Sequence, residues 1–189
     1  MRLTMAERLS RVVLATGLAL AVLLPAAMPA AAIIDDNTLR LGTTQAMDAT
    51  NPYQATLVES YESFELTWDQ LVGFGPNLDP IPAFATSWER AADGKSWTFK
   101  FRPDLKWSDG QPATSADACF SWQLNLDAIK DGADVGQGYL TPGIKDAGVT
   151  KVECPDATTM IVSTEDNTNR ILQTYVPILP KHIYGKMDY

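Results

Sequence analysis

Few residues in this 189-residue chain could carry catalysis. His182 is the one histidine, so Ser–His–Asp or Cys–His chemistry has a single candidate base. It follows Pro180-Lys181 near the end of the sequence, where a histidine more often packs or caps than abstracts a proton. The adjacent carboxylates Asp35-Asp36 and Glu165-Asp166 are typical of solvated charge, whereas acid–base catalysis needs one carboxylate in an apolar pocket. The sequence therefore does not favour an enzyme.

Short motifs for cofactor or metal chemistry are also missing. There is no G-x-S-x-G, no H-E-x-x-H and no P-loop, and Gly73-Phe74-Gly75 lacks the third glycine and the preceding strand of a dinucleotide fingerprint. Asp131 to Gly138 lacks the D-x-D-x-D-G order and the closing glutamate of a calcium loop, so we predict a linker there. His182 has no ligand cluster around it. We expect no cofactor and no metal.

The two cysteines, Cys119 and Cys154, leave two interpretations open. In an oxidising compartment they can pair as a disulfide. Cys119 also falls on the apolar stripe of a predicted helix, and Cys154 shares a predicted strand face with Val152. Both can therefore be small buried apolar residues instead.

The N-terminal segment has the three-part pattern of an export signal. Three arginines precede an apolar run from Val12 to Leu24, and small residues ending in an A-x-A pair, Ala30 and Ala32, follow it. We predict a signal peptide over residues 1–32, cleaved after Ala32, and a periplasmic or secreted mature protein. An uncleaved anchor is the alternative, but an apolar core of about 13 residues is short of the roughly 20 that span a bilayer.

The net charge limits the partners of the mature protein. The chain has a formal net charge of −8, and residues 1–32 carry three arginines and one glutamate, so their removal leaves −10. Nucleic acid and anionic membrane surfaces would require a basic face, which this composition does not supply. We expect no nucleic-acid partner.

The first half of the mature chain predicts a strand, a loop and a helix. Thr38 to Thr44 alternates and contains β-formers, which predicts a first strand, and the polar stretch after it predicts a loop. Apolar residues recur at helical spacing from Leu57 to Leu71, which predicts a helix of about four turns with a buried stripe. A cofactor-binding aromatic face is the alternative for that stripe. Gly73 to Pro80 is predicted to be a loop.

Two hairpins and a capped helix follow in the sequence. Residues 87–92 and 95–101 flank Asp93-Gly94, and aromatic residues alternate on the second arm, so we predict a β-hairpin with a buried aromatic face. Thr114 and Asp117 have the spacing of a capping box, which predicts a helix from Ser115 to about Ile129. A second hairpin is predicted from residues 148–153 and 158–164.

A short final helix is predicted over Thr168 to Val176, capped by Asn167 or Thr168. The segment Ile178 to Ile183 follows it. No internal repeat and no shift in composition divides the mature chain.

Several of these segments together resemble the N-terminal part of the extracellular solute-binding proteins of family 5, the peptide- and nickel-binding receptors of ABC importers. The resemblance rests on residues 81–88 (I-P-A-F-A-T-S-W), 93–102 (D-G-K-S-W-T-F-K-F-R), 106–112 (K-W-S-D-G-Q-P) and 116–117 (A-D). Weaker agreement is found at residues 38–44, 51–52 (N-P) and 179–182 (L-P-K-H). The departures at Phe84, Trp107 and Ala118-Cys119 are substitutions that a core tolerates.

The resemblance implies a mixed α/β, periplasmic binding protein-like fold of type II, the peptide-binding class, present only in part. It implies residues 33–52 as the start of a first lobe, 53–170 as a small α/β subdomain with two hairpins, and 171–189 as a return to the first lobe. The complete protein would close two lobes on a solute by a hinge.

The same resemblance implies a function. It is that of a periplasmic substrate-binding component that captures peptides or related small solutes and delivers them to ABC permease subunits in the inner membrane, without catalysis. The loop after the first strand borders the cleft in this family, so Thr44, Gln45 and Met47 are candidate ligand contacts. The alternative is that they are ordinary loop residues.

Two other classes of protein stay open from the sequence. A secreted single-domain hydrolase would need an acid–base pair that the lone histidine makes hard to assemble. A secreted interaction module would unfold cooperatively on its own, whereas the family resemblance implies a piece that lacks later partner strands.

Overall fold

The computed structural model describes residues 41–133 and 140–186. The predicted signal peptide, its cleavage after Ala32 and residues 38–40 of the predicted first strand lie outside them. None of the helices in these two ranges is long and apolar enough to cross a bilayer. The α-helices are α1 (Val58–Phe64), α2 (Ser115–Asp131), α3 (Leu140–Asp146) and α4 (Lys181–Tyr184). The strands are β1 (Val72–Phe74), β2 (Pro80–Pro82), β3 (Ala85–Arg90), β4 (Ser96–Phe101), β5 (Val149–Asp156) and β6 (Thr159–Thr164).

The main sheet is antiparallel, with strand order β3-β4-β6-β5, and α2 packs against it. Strand β4 alternates between the core and the solvent side, so its aromatic residues Trp97, Phe99 and Phe101 are all buried. Phe99 pairs with Trp88 on β3 and with Met160 on β6. The predicted hairpin and its buried aromatic face are therefore confirmed.

The turn of the first hairpin shows why the sequence needs glycine there. Gly94 has φ +71°, in the left-handed region that glycine adopts without a Cβ clash. The Asp93 carboxylate accepts a hydrogen bond from the Lys95 amide at 2.9 Å, the local bond that makes Asp-Gly a turn signal. The second predicted hairpin is also present as β5 and β6.

The start of α2 has the predicted capping box. The Thr114 amide donates to Asp117 Oδ2 at 2.8 Å, and Thr114 Oγ1 accepts from the Ala116 amide at 3.3 Å. These bonds satisfy amides that have no partner within the helix. The helix runs from Ser115 to Asp131, close to the predicted range. Trp122 belongs to the main core cluster, and Cys119 packs against that cluster.

The predicted helix from Leu57 to Leu71 is too long. Helix α1 ends at Phe64, and its last hydrogen-bonded turn reaches Trp68. Leu71 is instead buried in the core, where its carbonyl accepts a hydrogen bond from the Ala85 amide at 2.9 Å. Tertiary pairing outweighs the helical spacing at that point.

The predicted loop over Gly73 to Pro80 is confirmed only for residues 75–79, which form the turn of a short hairpin between β1 and β2. Gly73 lies opposite Ile81, whose side chain covers the space where a Cβ at Gly73 would stand. Among the described strands β2 pairs only with β1. The other edge of β2 therefore needs no backbone donors, and prolines, which lack the N–H, are tolerated there.

Three further segments differ from the predictions. Residues 41–44 form no strand with any described segment, and a strand requires a partner to satisfy its backbone. The final predicted helix is a 3₁₀ turn, Arg170–Gln173, in which Thr168 Oγ1 accepts the Arg170 amide at 3.1 Å. The Thr168 carbonyl accepts a hydrogen bond from the indole N–H of Trp97 at 3.2 Å. This carbonyl is therefore engaged outside the backbone hydrogen bonds of a helix. Helix α3 was not predicted, because it contains a proline and a glycine.

Candidate functional site

The loop that precedes α1 is anchored by the carboxylate of Asp48. Ser60 Oγ donates to Asp48 Oδ1 at 2.6 Å, and Thr56 donates to Oδ2 through both its hydroxyl (2.6 Å) and its amide (2.8 Å). The hydrogen bonds from Ser60 and then Thr56 hold the pKa of Asp48 well below its usual range. These bonds anchor the loop to the start of α1.

The three predicted ligand-contact residues lie together on this anchored loop. Thr44 Oγ1 donates to Glu59 Oε1 at 2.8 Å, and the Gln45 carbonyl accepts from Thr43 Oγ1 at 2.8 Å. Thr44 and Gln45 are exposed, and Met47 is 43% exposed. All three residues are exposed on this loop, and their contact with a ligand stays a prediction.

The base of the loop is tied to α2 by buried polar groups. The Asn51 side chain accepts the Tyr53 amide at 3.0 Å, a local turn of the kind that Asn-Pro favours. The buried Tyr53 hydroxyl donates to the Ser121 carbonyl at 3.1 Å and accepts from Asn125 Nδ2 at 3.1 Å. Burial raises the pKa of Tyr53 above its ordinary value. This connection places the loop at a fixed position on the rest of the fold.

Sequence reasoning identified the loop but missed the residues that hold it. Asp48, Thr56 and Ser60 are 8 and 12 residues apart in the two pairs that bond, which matches no short motif. Ser60 is fully buried although it is polar. A polar residue on the buried side of α1 was the one signal in the sequence, since a buried hydroxyl needs a partner.

Cys119 and Cys154 form a disulfide in the structure, with their Cα atoms 6.3 Å apart. It links α2 to β5. Both cysteines are also partly buried against the main core, so the apolar surroundings considered in the sequence are present too.

The lone histidine is part of an exposed pair. His182 Nε2 lies 2.7 Å from Asp109 Oδ2, and the two side chains are 37% and 41% exposed. The pKa of Asp109 is lowered, first by the Gln111 amide that bonds its carboxylate and then by His182. Within the described residues no hydroxyl or thiol hydrogen-bonds to the imidazole. The arrangement joins the Trp107–Pro112 turn to α4 rather than activating a nucleophile.

No group of three or more His, Cys, Asp or Glu side chains with suitable geometry occurs in the ranges 41–133 and 140–186.

Residues 79–188 match the family model of the bacterial extracellular solute-binding proteins, family 5 Middle. Among curated proteins, the chain is 31% identical over 84 residues to the dipeptide-binding protein DppE of Bacillus subtilis, covering 44% of the chain and 16% of that protein. It is 50% identical over 48 residues to the periplasmic oligopeptide-binding protein OppA of Escherichia coli, covering 25% of the chain and 9% of that protein. The chain thus spans less than a fifth of each of these relatives.

Solved structures agree on the fold. Campylobacter jejuni NikZ in complex with Ni(L-His) superposes with a TM-score of 0.61 at 19% identity, over 75% of this chain and 27% of that one. The substrate-binding domain of an oligopeptide ABC transporter from Bacillus anthracis superposes with a TM-score of 0.59 at 26% identity, over 72% and 29%. The predicted fold class is confirmed: mixed α/β, of the type II peptide-binding periplasmic class, and partial.

Proposed function

The chain belongs to the family 5 bacterial extracellular solute-binding proteins, and on that premise we propose that it is part of the periplasmic substrate-binding component of an ABC importer. The component captures a peptide or a related small solute and delivers it to permease subunits in the inner membrane. It catalyses no reaction. The observation that supports this best is the exposed, anchored loop at Thr44 to Met47, at the place where the family resemblance puts the cleft.

The chemistry of the loop suits a peptide ligand. Gln45 offers both amide donors and an acceptor, and Thr44 offers a hydroxyl. Met47 adds an unbranched thioether that adapts to side chains of different shape. Residues 41–44 have no strand partner in the described part of the chain, and we propose that an extended ligand pairs with their backbone groups.

We also propose a location and a domain plan for the protein. A signal peptide over residues 1–32 directs it out of the cytoplasm, and cleavage falls near Ala32. Residues 33–52 begin a first lobe, 53–170 form the small subdomain, and 171–189 return to the first lobe. Curated relatives with matching segments carry periplasmic names, as OppA of E. coli does, which supports this location.

Calorimetric titration of the purified full-length protein with trialanine tests the proposal. Loss of one hydrogen bond to a ligand costs about 0.5–1.5 kcal/mol, so Gln45→Ala is expected to weaken binding by roughly two- to tenfold. Thr150→Ala is a matched control, because this exposed hydroxyl lies on β5 and bonds to its neighbouring strand. Wild-type affinity in the Gln45→Ala variant would contradict the assignment of the loop to the binding site. The absence of binding to any short peptide would contradict the proposed function.

A further inference from the structure

One concave surface of the described fold does not involve the candidate loop. Three segments enclose it: residues 65–69 after α1, residues 105–109 of the tight turn, and residues 180–184 around α4. We call this surface the tryptophan groove; it has a volume of about 530 Å³. None of the three predicted contact residues of the loop lines it.

The walls of the groove are aromatic and its floor is apolar. Trp68 and Tyr184 meet edge to face, with ring centroids 5.9 Å apart. Trp107 leans on Phe84 at 6.3 Å. Phe84 and Ala113 are buried beneath. Aromatic faces carry a negative quadrupole, so such a wall favours a cation with an apolar body over an anion.

The rim of the groove is acidic. Glu65, Asp69 and Asp109 line it, against one cation, Lys106. Asp109 is engaged with His182, whereas the carboxylates of Glu65 and Asp69 form no ion pair with any described residue. Two exposed, uncompensated carboxylates therefore stand beside the aromatic walls.

We propose that the tryptophan groove is a binding site for a small organic cation that carries an apolar body, of the quaternary ammonium class. The aromatic walls contact the apolar body and the cation, and Glu65 and Asp69 supply the opposing charge. The site is separate from the solute-contact loop and does not depend on the function proposed for that loop.

Choline is the probe, and its neutral carbon isostere 3,3-dimethyl-1-butanol is the matched ligand without charge. The full-length protein, labelled with ¹⁵N in the tryptophan indoles, is titrated with each at constant ionic strength. Choline is expected to shift the indole resonances of Trp68 and Trp107 saturably, and to leave that of the core residue Trp122 unchanged. The neutral isostere is expected to bind at least about threefold more weakly, because it lacks the cation–π and rim attractions.

Variants separate the walls from the rim. The double variant Glu65→Gln with Asp69→Asn is expected to weaken choline binding by about three- to tenfold, and Trp68→Leu by about two- to fivefold. Glu62→Gln is the control, because Glu62 is exposed on α1 but does not line the groove. Equal affinity for both ligands, an unaffected double variant, or the absence of saturable shifts at Trp68 and Trp107 would each overturn the proposal.

Discussion

Replacement of Asp117 by alanine is expected to be the most damaging single change at the start of α2. The carboxylate is buried, at 5% exposure. Its Oδ2 accepts the Thr114 amide at 2.8 Å, and its Oδ1 accepts the Lys181 amide at 2.8 Å. One side chain therefore caps the helix and fastens the segment that leads into α4.

The magnitude follows from the groups left behind. Asp117→Ala leaves two backbone donors without their acceptor, at about 1–2 kcal/mol each, and removes a negative charge from the positive end of the helix, worth about 0.3–1 kcal/mol. The expected loss is about 2–5 kcal/mol in the free energy of unfolding. Asp117→Asn keeps one acceptor oxygen and is expected to lose about half as much.

Urea unfolding of the full-length protein, followed by far-UV circular dichroism and tryptophan fluorescence, measures these losses. Asp131→Ala is the control, because Asp131 is exposed at the other end of the same helix. A carboxylate there opposes the helix dipole, so its removal should be neutral or slightly stabilising. A loss below about 1 kcal/mol for Asp117→Ala would refute the reasoning, since that is less than one unsatisfied buried donor costs.

Three other changes test separate parts of the fold. Replacing Cys119 and Cys154 together by alanine opens a loop with a sequence separation of 35. Chain entropy predicts a loss of about 4 kcal/mol in the free energy of unfolding, to be measured by urea unfolding without reductant. An unchanged urea midpoint would contradict this prediction. Gly94→Ala should lose more stability than Gly110→Ala in thermal melts, although both glycines have positive φ. A methyl group at Gly94 would lie 2.5 Å from the Asn167 side chain, which would have to move, whereas a methyl group at Gly110 would meet nothing within 4 Å. Because the folded-state pKa of Asp48 is depressed, its contribution is present above the unfolded-state pKa and lost as pH falls below about 4. Asp48→Asn should therefore reduce the difference in urea midpoint between pH 7 and pH 3, and an unchanged difference would count against the anchor.

Local signals predicted the central part of the fold well. The aromatic alternation of β4 and the Asp93-Gly94 turn lie within a few residues of each other, and so do the members of the capping box. Each feature carries its own physical cause in adjacent residues, so tertiary context does not overrule it.

Long-range contacts explain the elements that the sequence did not predict. Leu71 has the spacing of a helical residue, but its carbonyl pairs with Ala85, 14 residues later. The 3₁₀ turn is shortened where the Thr168 carbonyl accepts the Trp97 indole, 71 residues away. Such competition between local propensity and distant partners is invisible to periodicity.

The candidate site divides in the same way. The family resemblance pointed to Thr44, Gln45 and Met47, and they do share one exposed loop. Their positioning depends on the Asp48 carboxylate and its bonds to α1, which only the folded structure assembles. Sequence could therefore locate the loop but not the contacts that anchor it.

Hydrogen–deuterium exchange of the full-length protein, with and without saturating trialanine, tests the central claim most directly. Solute capture by the anchored loop predicts slower amide exchange over residues 41–48 when the peptide is bound, with no change over the core hairpin, residues 85–101. Bound peptide that leaves exchange over residues 41–48 unaltered would contradict the claim.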